Sequence, residues 1–538
     1  MSAAAFCRAL FNTIRPGTHF MTKLLTISDS LATHARLSPG KIGAQDSRRA
    51  LTYAEWDRRA SRLGAGLLGL GLCKGDRVAV LAYNCLEWME IYAALARTGL
   101  VAVPVNFRLT ADEISYIASH GEASAVIAGA EFCAIVELIA HELPACAGRL
   151  VVLGAAPGPA WVAYEDVVAA GSASAQFEAV HPDDLCALMY TSGTTGRPKG
   201  VMRSHGGSSL IALATALEMG FTRDDTGLLV MPLCHANSLY FGTTFIHLAA
   251  TCIIDDRPSF DPEALLSTLA RNHVTFTSLV PTHYIMMLSL PAEVKRQYDV
   301  GSVGKLLISS APARKDTKLA ILEQFPNSKL YELYGSTEHG WVTLLRPHEQ
   351  IDRLGSVGRE WAGTGPIRIL DENGREVPDG EVGELYARTA YVFDGYWNNP
   401  EKTAEAFRGD WSSVGDMARR DQDGYIWLVD RKSNMIISGG ENIYPSEVES
   451  VLGAFPKVKD VAVIGAPHPK WGETVHAVIV LQEGQTSTVE AVRDWCKQRL
   501  AGFKCPTSVS FIADVEMPRT ATGKIQHRLL KARYSVPG

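Results

Sequence analysis

Short apolar runs rich in β-branched residues alternate along the chain with segments of helical spacing. Arg77-Val-Ala-Val-Leu-Ala82, Leu100-Val-Ala-Val-Pro-Val105, Ala125-Val-Ile-Ala128 and Leu150-Val-Val-Leu153 read as strands. Residues 88–95, between the first two, read as a helix. Another helix opens after Leu51, with Thr52 as N-cap and Glu55 at the capping-box position. Such alternation predicts an α/β architecture with largely parallel sheets. The pattern returns in the buried-strand run Leu185-Cys-Ala-Leu-Met189 and in Lys305-Leu-Leu-Ile-Ser-Ser-Ala-Pro312, a strand followed by a turn. Residues 239–254 form the nearest thing to a membrane span. They contain His247 and several threonines, so a buried core segment is expected.

Past Asp430 the pattern shifts. Met435-Ile-Ile-Ser438 is a strand running into Gly439-Gly440, and Ser446 is expected to cap a helix with Glu449 completing the box. Residues 461–464 and 475–481 supply strands and 489–500 a helix. A chain of 538 residues exceeds one hydrophobic core. The expected division is an extension over 1–25, a large N-terminal domain of stacked α/β subdomains over 26–432, and a small mobile α+β domain over 433–538.

Composition changes this picture little. Hydrophobic residues at 46% and charged ones at 20% describe an ordinary globular protein, and a net charge of −6 argues against a nucleic-acid surface. The ten cysteines show no Cys-x-x-Cys pair or zinc spacing, which fits free thiols in a reducing cytosol. Arg8, Arg15 and Lys23, with no acid before Asp29, fit a weak presequence. The preferred expectation is an extension ahead of a start at Met21.

Chemistry is concentrated in Tyr190-Thr-Ser-Gly-Thr-Thr-Gly-Arg-Pro-Lys-Gly200. Glycines allow close backbone approach, while Thr191, Ser192, Thr194, Thr195 and Lys199 add donors and charge around Gly193 and Gly196. This suits a polyphosphate. It is not a Walker A loop, which needs Gly-Lys-Ser/Thr opening a helix where this chain has Pro198.

This loop resembles the signature of the AMP-forming, adenylate-producing superfamily. Tyr334-Gly-Ser-Thr-Glu338, Gly415-Asp416, Asp430-Arg431 and Pro518-Arg-Thr-Ala-Thr-Gly-Lys524 follow in that family's order. The resemblance implies that the loop grips the leaving phosphates and that Ala311 and Pro312 border adenine. It places Glu332, Leu333, Gly335 and Ser336 around the nucleotide, Tyr334 on the adenine and Thr337 at the α-phosphate. Glu338, with Thr191, would hold Mg²⁺. Asp416 and Arg431 would meet ribose or phosphate, and Lys524 would stabilise charge on the transferring oxygens. His235 would orient the carboxylate, with Asn237, Phe241, Ser310, Leu333 and Gly335 shaping an acyl pocket. Gly335 leaves room where acetate-using relatives carry tryptophan, and Leu333 should narrow the pocket. Ser433 stands at the hinge in place of the usual Asp or Lys. Gly439 and Gly440 would form a CoA thiol channel, with Trp471 and Phe503 flanking it and Lys504 near CoA phosphate. Core packing is the competing reading for those two aromatics. His205, His247 and His283 are expected to be structural, and residues 30–180 to be scaffold.

The implied activity is an ATP-dependent carboxylate–CoA ligase, working through acyl-AMP on a medium-chain fatty or aromatic acid. ATP, CoA and a small carboxylic acid are the expected partners, in a cytoplasmic enzyme with no membrane span and a possible homodimeric state. A standalone acyl–carrier-protein ligase and a luciferase-like oxygenase share the same motifs.

Overall fold

The structure is a computed structural model that describes residues 25–191, 197–309, 313–438, 441–520 and 523–534. Among these, a seven-stranded sheet runs in the order Trp161–Ala163, Leu150–Leu153, Ala123–Gly129, Arg77–Leu81, Val101–Pro104, Leu185–Thr191, Lys199–Ser204. Every neighbouring pair is parallel except the last. The expected strands are all present. The helix expected at 88–95 extends over Glu87–Thr98, buried on nearly all sides between sheet and neighbouring helices. Thr52 and Glu55 form the expected capping box.

A nine-stranded sheet carries the second layer. Its parallel centre orders Lys329–Ser336, Lys305–Ser309, Phe276–Leu279, Thr226–Leu229, Thr251–Ile254 and Ile42–Gln45. Antiparallel strands flank it, including Gly340–Leu345, the return arm of a hairpin from Lys329–Ser336. Residues 239–254 become the end of helix Ala236–Leu248 and strand Thr251–Ile254, set in the core as expected. Among the described residues, no helix is long and apolar enough to cross a membrane. The described cysteines are all free.

A four-stranded antiparallel sheet follows, ending in Asp416–Arg420 and Ile426–Arg431. Beyond it, Ile436–Ser438, Glu441–Ile443, Val458–His468, Gly472–Leu481 and Ser508–Phe511 build a separate sheet. Alternate residues of its long hairpin face opposite ways, as strand pleating requires. Val461, Val463 and Ala477 pack with Val448 and Val492, while Ala462, Ile464 and Val478 pack with Leu530. Both faces are therefore covered.

The capping box expected at Ser446 and Glu449 is not formed. Pro445 occupies the first turn of helix Pro445–Gly453 behind Tyr444, because its fixed φ favours that place. Ser446 instead donates its hydroxyl to the Val429 carbonyl. Glu449 accepts the Val463 N–H at 2.7 Å and pairs with His527 Nε2 at 2.6 Å.

Candidate active site

Parallel strands gather their carboxyl ends at one edge, where α/β sheets place ligands. Thr191 ends its strand there, opposite Lys199 in the antiparallel pair. Ser192, Gly193, Thr194, Thr195 and Gly196 lie outside the described residues. Lys199 Nζ sits 3.9 Å from the centre of the Tyr396 ring, whose hydroxyl donates to Glu338 Oε1 at 3.0 Å. Burial lowers the Lys199 pKa, and the Glu338 charge works against that. From below, Arg203 Nη1 donates to the Glu338 carbonyl at 3.2 Å. Arg203 is 1% exposed, with Nε and Nη2 lacking protein partners. Among the described residues, no group of three or more His, Cys, Asp or Glu gathers into a metal cage. A hard cation at Glu338 would complete its shell with phosphate and water, as Mg²⁺ commonly does.

The hairpin bearing Glu338 turns tightly, with the Ser336 hydroxyl accepting the His339 N–H at 3.0 Å. A Cβ on Gly335 would lie 2.2 Å from the Gly340 carbonyl oxygen. Glycine is thus required here by close backbone approach. Thr337 is half-buried beside it.

The other wall joins two segments far apart in sequence. The Tyr334 hydroxyl donates to Asp416 Oδ2 at 2.6 Å, and Arg431 Nε meets Asp416 Oδ1 at 2.9 Å. Asp416 and Arg431 are direct partners across their strands, so pairing register sets this contact. Burial raises the Tyr334 pKa, with the Asp416 charge adding to it. Lys524 comes from the C-terminal segment. Its pKa is lowered by burial first and then by Arg431, with Asp416 opposing. The loop bearing it is closed by Thr520, whose hydroxyl accepts the Lys524 N–H at 3.1 Å.

His235 stands at the N-terminus of helix Ala236–Leu248. Its Nε2 is buried without a protein partner. Burial, followed by the positive charges of Arg108 and Lys524, lowers its pKa to about 4, leaving a neutral imidazole. Asn237 Nδ2 donates to the Ser309 hydroxyl at 3.0 Å. Ser310, Ala311 and Pro312 lie outside the described residues.

Two expectations for this side are corrected. Phe241 is 0% exposed and stacks on Trp341 at 5.6 Å, so it supports the wall from behind rather than lining a pocket. Glu332 is buried in an ion pair with Lys318 at 2.5 Å, because its side chain leaves the strand away from Leu333; it is occupied structurally rather than by a nucleotide. Leu333 belongs to the same core as Phe241. Of the histidines expected to be structural, His247 bonds the Ser30 hydroxyl at 2.7 Å and His283 stacks on Phe260 at 4.0 Å. His205 is buried with neither ring nitrogen partnered in the protein.

On the C-terminal sheet, Trp471 and Phe503 are 46% and 47% exposed, which rules out core packing for both. Lys504 Nζ meets both Glu447 carboxylate oxygens at 2.7 Å. Gly439 and Gly440 lie outside the described residues. Ser433 occupies a turn closed by Asn434 N–H to the Arg431 carbonyl at 2.9 Å. Asp430 bridges the junction, accepting the Ser446 N–H at 2.8 Å and Asn434 Nδ2 at 3.1 Å.

Tyr396, Arg203, Lys318 and Arg108 were absent from the sequence-derived site. Each is a single residue outside any spaced motif, and only the tertiary fold brings Tyr396 and Arg203 to Glu338 and Lys318 to Glu332.

This arrangement is that of a two-domain α/β nucleotide-handling enzyme, with cations from separate segments bracketing two carboxylates. Residues 31–397 match the AMP-binding enzyme family model, and residues 447–524 match the AMP-binding enzyme C-terminal domain. The chain belongs to the AMP-binding enzyme family. It is 37% identical to a feruloyl-CoA synthase of an Amycolatopsis species over 93% of this chain and 97% of that one. It is 32% identical to an indoleacetate–CoA ligase of Aromatoleum aromaticum, again over 93% and 97%. Among solved structures, the anthranilate CoA ligase AuaEII in complex with anthranoyl-AMP superposes with a TM-score of 0.85 at 27% identity, covering 96% of this chain and 98% of that one. ATP-bound MatB from Rhodopseudomonas palustris gives 0.83 at 31%, covering 95% and 99%.

Proposed function

We propose that the protein is an ATP-dependent, AMP-forming carboxylate–CoA ligase that makes an acyl-adenylate and passes the acyl group to CoA. The observation that carries this reading is the pair of polar stations at the strand ends, Tyr334 and Arg431 on Asp416 at 2.6 and 2.9 Å, and Lys199 and Tyr396 beside Glu338.

In the first half-reaction the acid's carboxylate attacks the α-phosphorus of ATP and pyrophosphate leaves. The chain contributes no nucleophile, so its work is positioning and charge stabilisation. Lys199 and the loop 191–200 hold the leaving phosphates. Asp416 and Arg431 take the ribose, Tyr334 and the strand around it face the adenine, and Thr337 meets the α-phosphate. Lys524 stabilises charge developing on the transferring oxygens. Neutral His235 offers its unpartnered Nε2 to the acid without adding a competing charge. Glu338 and Thr191 would hold Mg²⁺, which neutralises phosphate charge. The domain from 433 to 538 then rotates about Ser433, and Trp471 and Phe503, exposed on it, flank the incoming CoA with Lys504 near its phosphate.

The acid is a medium-chain fatty or aromatic one, a choice supported by the feruloyl- and indoleacetate-named relatives. A carrier protein is the second acceptor to test, because a fatty acid–[acyl-carrier-protein] ligase of Streptomyces coeruleorubidus is 32% identical over 95% of this chain. A cytosolic setting is supported by the free thiols, and a homodimer by the apolar, exposed Leu210, Leu213 and Leu217 of one helix. A carboxylic acid panel, scored for AMP release and thioester mass with CoA or carrier protein, tests the reading. Acid-dependent AMP and CoA thioester are expected; AMP release indifferent to every acid would overturn it.

A further inference from the structure

Polar atoms are buried without protein partners at the mouth of the nine-stranded sheet. Helix Ala236–Leu248 lies across strands Phe276–Leu279 and Lys305–Ser309, with Phe241 over Phe276 at 4.7 Å. One turn earlier on the same helix face stands Asn237, bonded to Ser309. Ser278 shares the face of Phe276, two residues on, and its strand runs parallel to the one that ends at Ser309. Ser309 is in register with Leu333 on the next strand. Asn237, Ser278 and Ser309 therefore share the helix-covered face of the sheet, at the carboxyl ends of adjacent strands.

Two of their atoms are unpaired. Asn237 Oδ1 and the Ser278 hydroxyl are buried with no hydrogen-bond partner in the protein. Burying such groups unpaired is costly, and the apolar surroundings of Leu333 and Phe276 raise the cost. A purely apolar pocket wall would have Leu or Val here. An amide can turn end for end, so its free end accepts or donates, and a serine hydroxyl does both. The matching group is one that also does both.

We infer that the acid this site selects carries a hydroxyl at the end remote from its carboxylate, and that Asn237 and Ser278 bind it. This rests on the ligase reading above and narrows its substrate class. A hydroxyl brought to this face satisfies a buried amide or serine that the protein leaves unpaired. An acid of equal length without it leaves both buried and unpaired. Sites of this kind reject the lacking analogue far more strongly than a hydrophobic slot rejects an extra methylene.

Matched pairs test the inference: a para-hydroxylated phenylpropenoic acid against its parent, and an ω-hydroxy medium-chain fatty acid against its parent. In at least one pair, kcat/KM for CoA-thioester formation is expected to favour the hydroxylated acid by ~100-fold or more. Asn237→Leu and Ser278→Ala should each cut that ratio to about tenfold or less. Ser278→Ala removes one atom and keeps the test open if Asn237→Leu does not fold. Ligation of both members of each pair at similar kcat/KM would overturn the inference and mean that ordered water satisfies these atoms. A high ratio untouched by Ser278→Ala would remove the serine and overturn the assignment. No ligation of any acid, with no acid-dependent AMP, is a different result: it overturns the ligase reading itself, and the inference with it.

Discussion

The Tyr396 hydroxyl donates to Glu338 Oε1 at 3.0 Å, while the same ring lies 3.9 Å from Lys199 Nζ. One aromatic side chain thereby couples the cation of the phosphate loop to the carboxylate of the hairpin. A hydrogen bond to a charged acceptor contributes about 1.5–3 kcal/mol. Tyr396→Phe keeps the ring beneath Lys199 and removes only the bond that orients the carboxylate. The Mg²⁺ concentration giving half-maximal acyl-adenylate formation is expected to rise about tenfold, with little change in melting temperature. An unaltered Mg²⁺ titration would dissociate Tyr396 from the metal-binding role proposed for Glu338.

Arg203 presents the opposite balance. Its guanidinium is buried, makes one bond to the Glu338 carbonyl and has two nitrogens without protein partners. A buried cation with unpaired nitrogens carries a desolvation cost that an apolar residue of similar volume removes. Arg203→Met should therefore hold or raise the denaturation midpoint while lowering kcat/KM for ATP, because the hairpin loses the donor fixing its backbone. A variant that is both less stable and fully active would show the arginine to be a packing element.

These two residues mark the boundary of what the chain discloses as a string. The alternating strands and helices, the loop at 190–200 and the order of the four later motifs are local, so pattern and spacing carry them. Asp416 and Arg431 were legible for the same reason, each sitting in a recognisable short motif. Tyr396 and Arg203 meet Glu338 only through the packing of one sheet against the other, across long stretches of chain. Glu332 failed the other way: it shares the strand face of Tyr334, but its carboxylate is taken up by Lys318, which nothing near it in sequence announces. Phe241 likewise has the right helix face and lies one layer too deep. Ser446 was misread because Pro445 starts its helix two residues earlier than the capping pattern implied.

That serine leads to a prediction about domain motion. Asp430 accepts the Ser446 N–H at 2.8 Å, and the Ser446 hydroxyl reaches the Val429 carbonyl, joining the last strand before the hinge to the first helix after it. These bonds tie the segment that carries Lys524 to strand Ile426–Arg431. Ser446→Ala removes one bond, for which about 0.5–1.5 kcal/mol is typical. Acyl-adenylate formation should slow about two- to tenfold, while thioester formation from supplied acyl-adenylate should not slow. Equal slowing of both halves would place the contact outside the conformational step.

The small domain should also respond to pH. Burial alone would lower the His527 pKa, but the hydrogen bond and charge of Glu449, with Asp430, raise it overall. The folded state thus holds this proton more tightly than the unfolded chain. Its stabilisation is fully present below the ordinary histidine value of about 6.5 and is lost as pH rises through the raised value. Denaturation followed by tryptophan fluorescence should show a wild-type advantage over His527→Gln at pH 6 that shrinks by pH 8.5. A pH-independent difference between the two would exclude proton linkage at this pair.

Lys524 provides the sharpest division between the two half-reactions. Burial first and then Arg431 lower its pKa, with Asp416 opposing, and its own charge joins burial and Arg108 in lowering that of His235. If it stabilises charge on the transferring phosphoryl oxygens, it is needed only while the α-phosphorus is attacked. Removing one donor aimed at developing charge typically costs 10²–10³-fold in rate. Lys524→Ala should therefore lower acyl-adenylate formation by roughly that factor, measured as pyrophosphate release in single turnover. The same variant, given synthetic acyl-adenylate and CoA, should form thioester at close to the wild-type rate, because the rotation about Ser433 carries the lysine away before the thiol attacks. Lys524→Arg keeps the charge with a broader head and should recover part of the first rate. Loss of both halves together would mean that the residue holds the two domains in place instead of serving the first chemical step.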